Sequence, residues 1–391
     1  MSRKLSFVLA FLTVLMVSGV VVLGARAQAN AGAHLTGGMP AQSADKTAEQ
    51  QFKNIQVLKG VPADQLIPTM QFITASLGVE CDFCHVQGAF EKDDKKPKQM
   101  ARKMMEMMFA INADNFDRQR EVTCYTCHRG NSTPVGMPPV MTLAEATAPM
   151  TETKAPEAKP DEAKQNSGPS ADQLIEKYVQ AAGGAAAIDK VSSRVMKGTI
   201  EFGDKSFPIN IYSKAPDARI SYTHMPGGDS VTAFNGREGW LAMPGGRMRE
   251  MHGGDLDGAS IDADLHLATH LKQMFSEVKT RGTEKIDDHE AYVVVGQRES
   301  RPPIELYFDA QSGLLLRLVR YGETALGRLP TQIDYADYHE VDGVKIPYRW
   351  TLARPSGLFT IQVTDVKNNA PVDDAKFVKP TPPEPPKGPA K

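Results

Sequence analysis

The chain has 391 residues and a formal net charge of −2. That length calls for more than one hydrophobic core. The near-neutral charge, without a basic tail, gives no argument for nucleic acid binding, and nucleic acid is not expected as a partner.

Arg3 and Lys4 precede an apolar stretch from Leu5 to Gly24, which ends in Ala25-Arg26-Ala27-Gln28-Ala29. This is the layout of a secretory signal with an A-x-A-type cleavage site, over residues 1–29. The run is long for a signal, so an uncleaved anchor in the inner membrane is the alternative. Both readings export the chain to the periplasm. Residues 30–48, rich in Ala, Gly and Gln, read as a flexible lead-in.

Residues 49–137 have a helical texture and hold all four cysteines. The pattern predicts a helix from Ala63 to Leu77, stopped by Gly78 as a left-handed cap. Pro68 either kinks that helix or marks its first firm turn. A second helix is expected from Gln99 to Asn112. Each helix is followed by a C-x-x-C-H motif, so the segment is a loose duplication. The motifs are Cys81-Asp82-Phe83-Cys84-His85 and Cys124-Tyr125-Thr126-Cys127-His128.

The spacing has a chemical reason. Two thiols three positions apart on a helical turn can add to the two vinyl groups of one haem, and the next residue, His, then faces the iron. Two covalently attached haem c groups are expected, held by Cys81, Cys84, Cys124 and Cys127, with His85 and His128 as proximal ligands. Redox disulfides or a four-cysteine zinc site are the alternatives. Zinc requires neither a His after both second cysteines nor the export segment.

The far side of each iron needs a ligand. Met70 is the only methionine of the first helix. The second holds Met100, Met104, Met105, Met107 and Met108, with positions 100, 104, 107, 108 and 111 on one face. Most of that stripe is expected to be packing, and spacing leaves Met104, Met107 and Met108 open as the ligand.

From 138 to 170 the composition shifts to Ala, Pro, Glu, Lys and Thr, which buries no core and reads as a linker. Residues 171–379 read as an α+β unit. Ser170 caps a helix over Gln173 to Ala182, stopped by Gly183-Gly184. Strands are expected at Val195–Phe202, Phe207–Tyr212, Tyr292–Gly296, Ile304–Phe308, Leu314–Tyr321, Ile333–His339 and Val344–Leu352. Turn signals stand at Pro226-Gly227-Gly228, Asn235-Gly236 and Asp342-Gly343. One more helix is expected from Asp262 to Glu277, and residues 380–391 form a Pro-rich, disordered tail.

Several weaker signals remain. His266 and His270, with Asp262 and Asp264 nearby, make either a metal site or a solvated helix face. Lysines and arginines from Lys92 to Lys103 make either a docking surface for an acidic redox partner or a soluble loop. Trp240 and Trp350 are expected in the core or lining a cavity.

Two resemblances sharpen this reading. The runs Ala101-Arg102-Lys103-Met104-Met105-Glu106-Met107, Ala110-Ile111-Asn112 and Val122 to Gly130 closely resemble the cytochrome c subunit of photosynthetic reaction centres. Val57-Leu58, Thr69-Met70 and Cys81 to His85 do so as well, and the resemblance covers roughly residues 50–137. It implies a helix bearing an axial Met before each C-x-x-C-H, which assigns Met70 to the first haem and Met104 to the second. The photosynthetic members carry four haems in two such halves, and this chain has one half. Phe116 to Glu121 also lacks the axial His that those members place there. Residues 171–379 resemble lipoprotein-sorting half-barrels, through Ala181 to Gly184 with Val191 to Ile200, Phe308 to Leu314, Asp334-Tyr335 and Tyr338 to Pro347. That likeness implies a curled sheet around a cavity for a lipid or acyl chain.

The expected fold is therefore multidomain, a small all-α di-haem cytochrome c domain followed by an α+β antiparallel half-barrel. The expected function is one-electron transfer between redox proteins, a membrane-bound reaction centre or respiratory complex among them, and not substrate turnover. His/Met ligation leaves no open site for substrate. A di-haem peroxidase would need a displaceable sixth ligand. A lipid-binding or lipoprotein-binding module with a redox-sensing haem domain is the other alternative.

Overall fold

The computed structural model describes residues 46–136, 168–245, 247–355 and 357–380. The expected signal or anchor, most of the lead-in and linker, and the tail beyond residue 380 lie outside them. No helix among the described residues is long and apolar enough to cross a membrane.

The helical part comprises α1 (Ala48–Gln51), α2 (Leu66–Leu77), α3 (Cys81–Cys84), α4 (Lys96–Asn115) and α5 (Cys124–His128). A 3-10 turn, Ala63–Gln65, leads into α2, and Pro68 falls in the first turn, where its missing N–H costs no helical bond. Gly78 ends α2 in the left-handed conformation (φ 64°). A Cβ there would also lie 2.1 Å from the carbonyl oxygen of Gly130. That close approach is used, since the Gly130 amide donates to Ser76 O at 2.9 Å. The end of the first helix is thereby pinned to the end of the second motif.

Helix α4 extends three residues beyond the expected span at each end. Its inward face carries Lys98, Met105, Met108 and Asn112. Met105 and Met108 pack with Leu58, Phe72 and Ile73 in one apolar core. Asn112, buried on this face, donates to Val122 O (2.7 Å) and accepts from Val122 N (2.9 Å). Both of its polar functions are satisfied, and the approach to the second motif is fixed to α4.

Residues after the linker begin with α6 (Ala171–Ala181) and α7 (Ala185–Ile188). Ser170 Oγ accepts from the Gln173 amide at 3.2 Å, and Gln173 Oε1 accepts from the Ser170 amide at 2.8 Å, completing a capping box. One antiparallel sheet follows. Its first arm is β1 (Ser193–Phe202), β2 (Lys205–Lys214), β3 (Ala218–Met225), β4 (Gly228–Asn235), β5 (Gly239–Met243) and β6 (Arg247–Met251). Helices α8 (Gly253–Ala263) and α9 (Leu267–Met274) then cross to the far edge. The second arm is β7 (Glu277–Ile286), β8 (His289–Arg298), β9 (Arg301–Asp309), β10 (Leu315–Glu323), β11 (Arg328–Val341), β12 (Val344–Arg354) and β13 (Gly357–Asn368).

The spatial order is β6-β5-β4-β3-β2-β1-β13-β12-β11-β10-β9-β8-β7. Two meanders are thus joined only where β1 pairs with β13, from Arg194↔Asn368 to Phe202↔Phe359. Helices α6, α8 and α9 pack on one face, through Leu174, Ile175, Ile261 and Leu271. Trp350 belongs to that core and Trp240 to a smaller cluster with Phe377. The result is the expected half-barrel, with six more strands than the sequence pattern marks. The expected helix from Asp262 to Glu277 is instead two helices. Asp264 is extended there (ψ 104°), and its carboxylate accepts from the His266 amide at 2.9 Å. A short acidic side chain bonding local backbone in this way competes with helix.

The two parts meet at the β10–β11 hairpin. Its tip places Leu326, 1 % exposed, in the helical core beside Phe72. The Ala325 amide donates to Thr69 Oγ1 at 3.4 Å, and Arg120 bonds Thr324 O and the Glu323 carboxylate (2.7 Å). Gly327 has no room for a side chain, since a Cβ would lie 2.5 Å from the Phe72 ring. Leu326→Ala removes a fully buried side chain and is expected to cost about 2–5 kcal/mol. Because the cavity opens in the helical core, chemical denaturation followed by helical circular dichroism should show an earlier midpoint. An unchanged helical midpoint would contradict this packing.

Candidate functional site

Both C-x-x-C-H segments form the single helical turn that the spacing requires. All four cysteines are free thiols. Among the described residues no three His, Cys, Asp or Glu side chains lie close enough to hold a metal ion. The two cysteine pairs therefore do not converge on a zinc site. Burial pushes the Cys84 thiol up, and pushes Cys124 up to about 11.

The two histidines are held alike. His85 Nδ1 lies 2.9 Å from the Phe90 carbonyl oxygen, and His128 Nδ1 lies 2.8 Å from that of Asn131. A carbonyl only accepts, so each Nδ1 carries the proton and each Nε2 presents its lone pair. This is the arrangement by which outer partners set the tautomer of a ligating imidazole. Phe90 and Asn131 escaped the sequence reading, because a backbone carbonyl leaves no side-chain signature. A cavity of about 300 Å³ adjoins the first turn, bounded by Cys81, His85 and Phe90 among others.

The surroundings suit a large apolar group. Eight of the twelve large apolar side chains left exposed among the described residues lie between Ile67 and Val135, including Phe83, Met100, Met107 and Tyr125. Uncovered apolar surface is thus concentrated in the helical part that carries the two motifs, and a porphyrin at each would cover the share next to it. The four thiols, the two oriented imidazoles and this surface together fit haem.

The methionines divide into two sets. Met105 and Met108 are committed to the core, whereas Met100 and Met107 are exposed and Met104 is half-buried. The expected stripe of 100, 104, 107 and 108 is therefore split, with Met108 turned inward. Met70 is half-buried at the edge of the helical core. The packing is crossed: α2 lies against α5, and α3 lies against α4. Each helix–motif unit thus embraces the other.

Asp93 organises the start of α4. Arg102 donates to it twice (2.9 and 3.0 Å), Lys98 lies 3.0 Å away, and Asn54 Nδ2 donates at 3.0 Å. Two of the cations in the Lys92–Lys103 segment are thus turned to an internal carboxylate and not to a docking surface. Arg102, then Asn54 and Lys98, hold the Asp93 carboxyl well below the usual carboxylate range.

Farther down the chain, His266 Nε2 donates to Val191 O (2.8 Å), and His270 Nδ1 pairs with Asp264 (2.8 Å). Both imidazoles have structural partners. Between the helices and the sheet of the half-barrel lies a cavity of about 710 Å³. Arg320, 5 % exposed, reaches into it and pairs with both oxygens of Asp262 (2.7 and 2.9 Å). Gly258 makes room for that guanidinium, since a Cβ would lie 2.8 Å from it.

Residues 24–200 match the family model of the photosynthetic reaction centre cytochrome c subunit. The reaction centre cytochrome c subunit of Thermochromatium tepidum is 38% identical over 98 residues, 24% of this chain and 24% of its own. Cytochrome c-554 of Chloroflexus aurantiacus is 34% identical over 82 residues, 19% of this chain and 20% of its own. The chain spans about a quarter of the length of the reaction centre subunits it matches. The resemblance read from the sequence holds, and the family match runs past the helical part into β1. A LolA superfamily protein from Nitrosomonas europaea covers 54% of this chain and 99% of its own, at 17% identity and a TM-score of 0.37. A likeness of that size says nothing of ligand or activity.

The Asp93 cluster gives a pH test. A carboxyl held low in the folded state contributes stability above its unfolded pKa of about 3.9, and loses that contribution as pH falls toward the folded value. Thermal unfolding of the parent should exceed that of Asp93→Asn at pH 7. The gap should close progressively below about pH 4. A gap that persists unchanged in acid would show that the ion cluster is not its source.

Proposed function

We propose that the chain is a periplasmic c-type cytochrome with two covalent haems, passing single electrons between redox proteins. The observation that carries this is the repeated geometry at the motifs, a C-x-x-C turn followed by an imidazole whose Nδ1 is tied to a carbonyl. Cys81 and Cys84 would hold one haem and Cys124 and Cys127 the other, through thioether bonds. His85 and His128 would ligate through Nε2, and Met70 and Met104 would be the sulfur ligands. When bound, haem supplies a one-electron Fe(III)/Fe(II) couple. The protein's part is to hold the imidazole tautomer and to keep water from the iron with apolar side chains. Met70 and Met104 would supply sulfur to the iron, which would raise its potential and leave no place for a substrate.

Met104 is favoured over Met107 and Met108 by the family resemblance and by its half-buried position, neither committed to the core nor fully open to solvent. The domain reading keeps 49–137 as the haem part, 138–170 as linker and 171–379 as the half-barrel, whose cavity takes a lipid or acyl chain. Acceptors of the membrane-bound reaction centre or respiratory kind suit the resemblance.

Two measurements test this. A pyridine haemochrome assay, in cells able to mature c-type cytochromes, should give two haems per chain. Zero or one would overturn the reading. Met104→His and Met70→His should each keep their iron six-coordinate and lower its potential, because imidazole favours ferric iron more than thioether sulfur does. A redox titration in which Met104→His changes nothing while Met107→His shifts a potential would move the ligand to Met107.

A further inference from the structure

The half-barrel cavity is lined mainly by apolar side chains, Phe207, Phe234, Leu241 and Trp350 among them. Its volume lies within the range of about 300–1,000 Å³ usual for small-molecule sites. Its charges do not balance. Arg194, Arg219, Arg320, Arg354 and Lys345 line it, against Asp255, Asp262 and Asp264. Every one of those carboxylates already has a partner. Asp262 is taken by Arg320, Asp264 by His270, and Asp255 by Arg249 at 2.9 Å. Arg194 Nε donates to Asn368 at 2.8 Å.

Arg219, on β3, and Arg354, at the end of β12, have no carboxylate partner among the described residues. The Arg354 Nε is buried without any hydrogen-bond partner. Burial pulls both guanidiniums below their usual pKa. Asp262, already bonded to Arg320, is the carboxylate that both feel, so three guanidiniums share its charge. Holding two guanidiniums without an ion pair of their own in an apolar cavity is costly, and an entering anion offsets that cost. The apolar wall and the arginines grouped about Asp262 suit the two halves of one molecule.

We infer that the half-barrel binds a single-chain amphiphile with an anionic head, its chain along the apolar wall and its head between Arg219 and Arg354. This rests on the reading of the cavity as a lipid site and adds the headgroup and the residues that select it. Arg320 is not part of the selection, since Asp262 satisfies it. A carboxylate and a phosphate head share the chemistry.

The test uses the full-length, haem-loaded chain and isothermal titration calorimetry with decanoate, decyl phosphate and decanol. Both anions should bind at least about tenfold more tightly than decanol, as charge-assisted bonds to guanidinium would give. The tighter of the two anions names the head. Arg219→Met with Arg354→Met should bring the anions down to the level of decanol and leave decanol unchanged. Thermal unfolding of the empty double variant should match or exceed that of the parent, because Asp262 keeps both of its bonds to Arg320. Arg320→Met, which strands Asp262, should unfold earlier. Equal binding of decanol and the anions by the parent would overturn the headgroup inference while leaving the lipid site standing. So would a double variant that keeps its preference, or one that unfolds earlier than the parent. If none of the three binds, the lipid reading and this inference fall together.

Discussion

Everything beyond the linker depends on the pairing of β1 with β13. These strands come from opposite ends of the sheet region, and closing so long a loop is entropically unfavourable until the pair forms. The other neighbours in the sheet are consecutive hairpins. Without β1·β13 there would be two meanders, each with one apolar face and nothing to curl around. With it, the arms form one trough, and α6, α8 and α9 cover it. The glycine at position 198 shows how close the contact is, since a Cβ there would lie 2.1 Å from the Gln362 carbonyl oxygen.

The helical part is joined to that trough by one of its strands. Strand β10 carries Arg320, which reaches Asp262 beside the cavity, and three residues later reaches the tip that enters the helical core. Composition separates the two parts at the linker, yet the hairpin gives them a shared buried surface. A linker of Ala, Pro, Glu and Lys says only that the connecting chain packs poorly. It is silent about whether the segments it connects pack on each other.

The two C-x-x-C-H motifs were the most legible feature, because both residue type and spacing are fixed in them. Gly78, Ser170 and Asp342-Gly343 were legible for a similar reason, each answering a local backbone demand. Asp342 and Gly343 both have positive φ (54° and 79°), as a two-residue hairpin of that type requires. Strands β3 to β6 were not read, since Ser221, Thr223, Ser230 and Thr232 face the cavity where an apolar alternation would place core residues. Strand β7 is an edge, with charged residues along its length and little apolar signal. On α4 the periodicity identified an apolar face but not its angle. Five methionines within nine positions cover more than one side of a helix, and only the packing of Phe72 and Ile73 shows that Met105 and Met108 turn inward. Arg219 and Arg354 were invisible because nothing in a strand pattern marks a cation as unneutralised.

The crossed packing in the helical part bears on how such a fold can be cut or built. Each unit is a helix followed by a C-x-x-C-H turn, and α2 against α5 mirrors α3 against α4. The contacts are reciprocal, each unit's helix lying against the other unit's turn. A chain holding one unit alone would present a helix flank and a turn with no cover, and a second copy would supply both through a self-complementary, isologous contact. The fused pair is thus a dimer written into one polypeptide, with local concentration set by the short segment between the units. Dividing it there would part each helix from the turn it packs against.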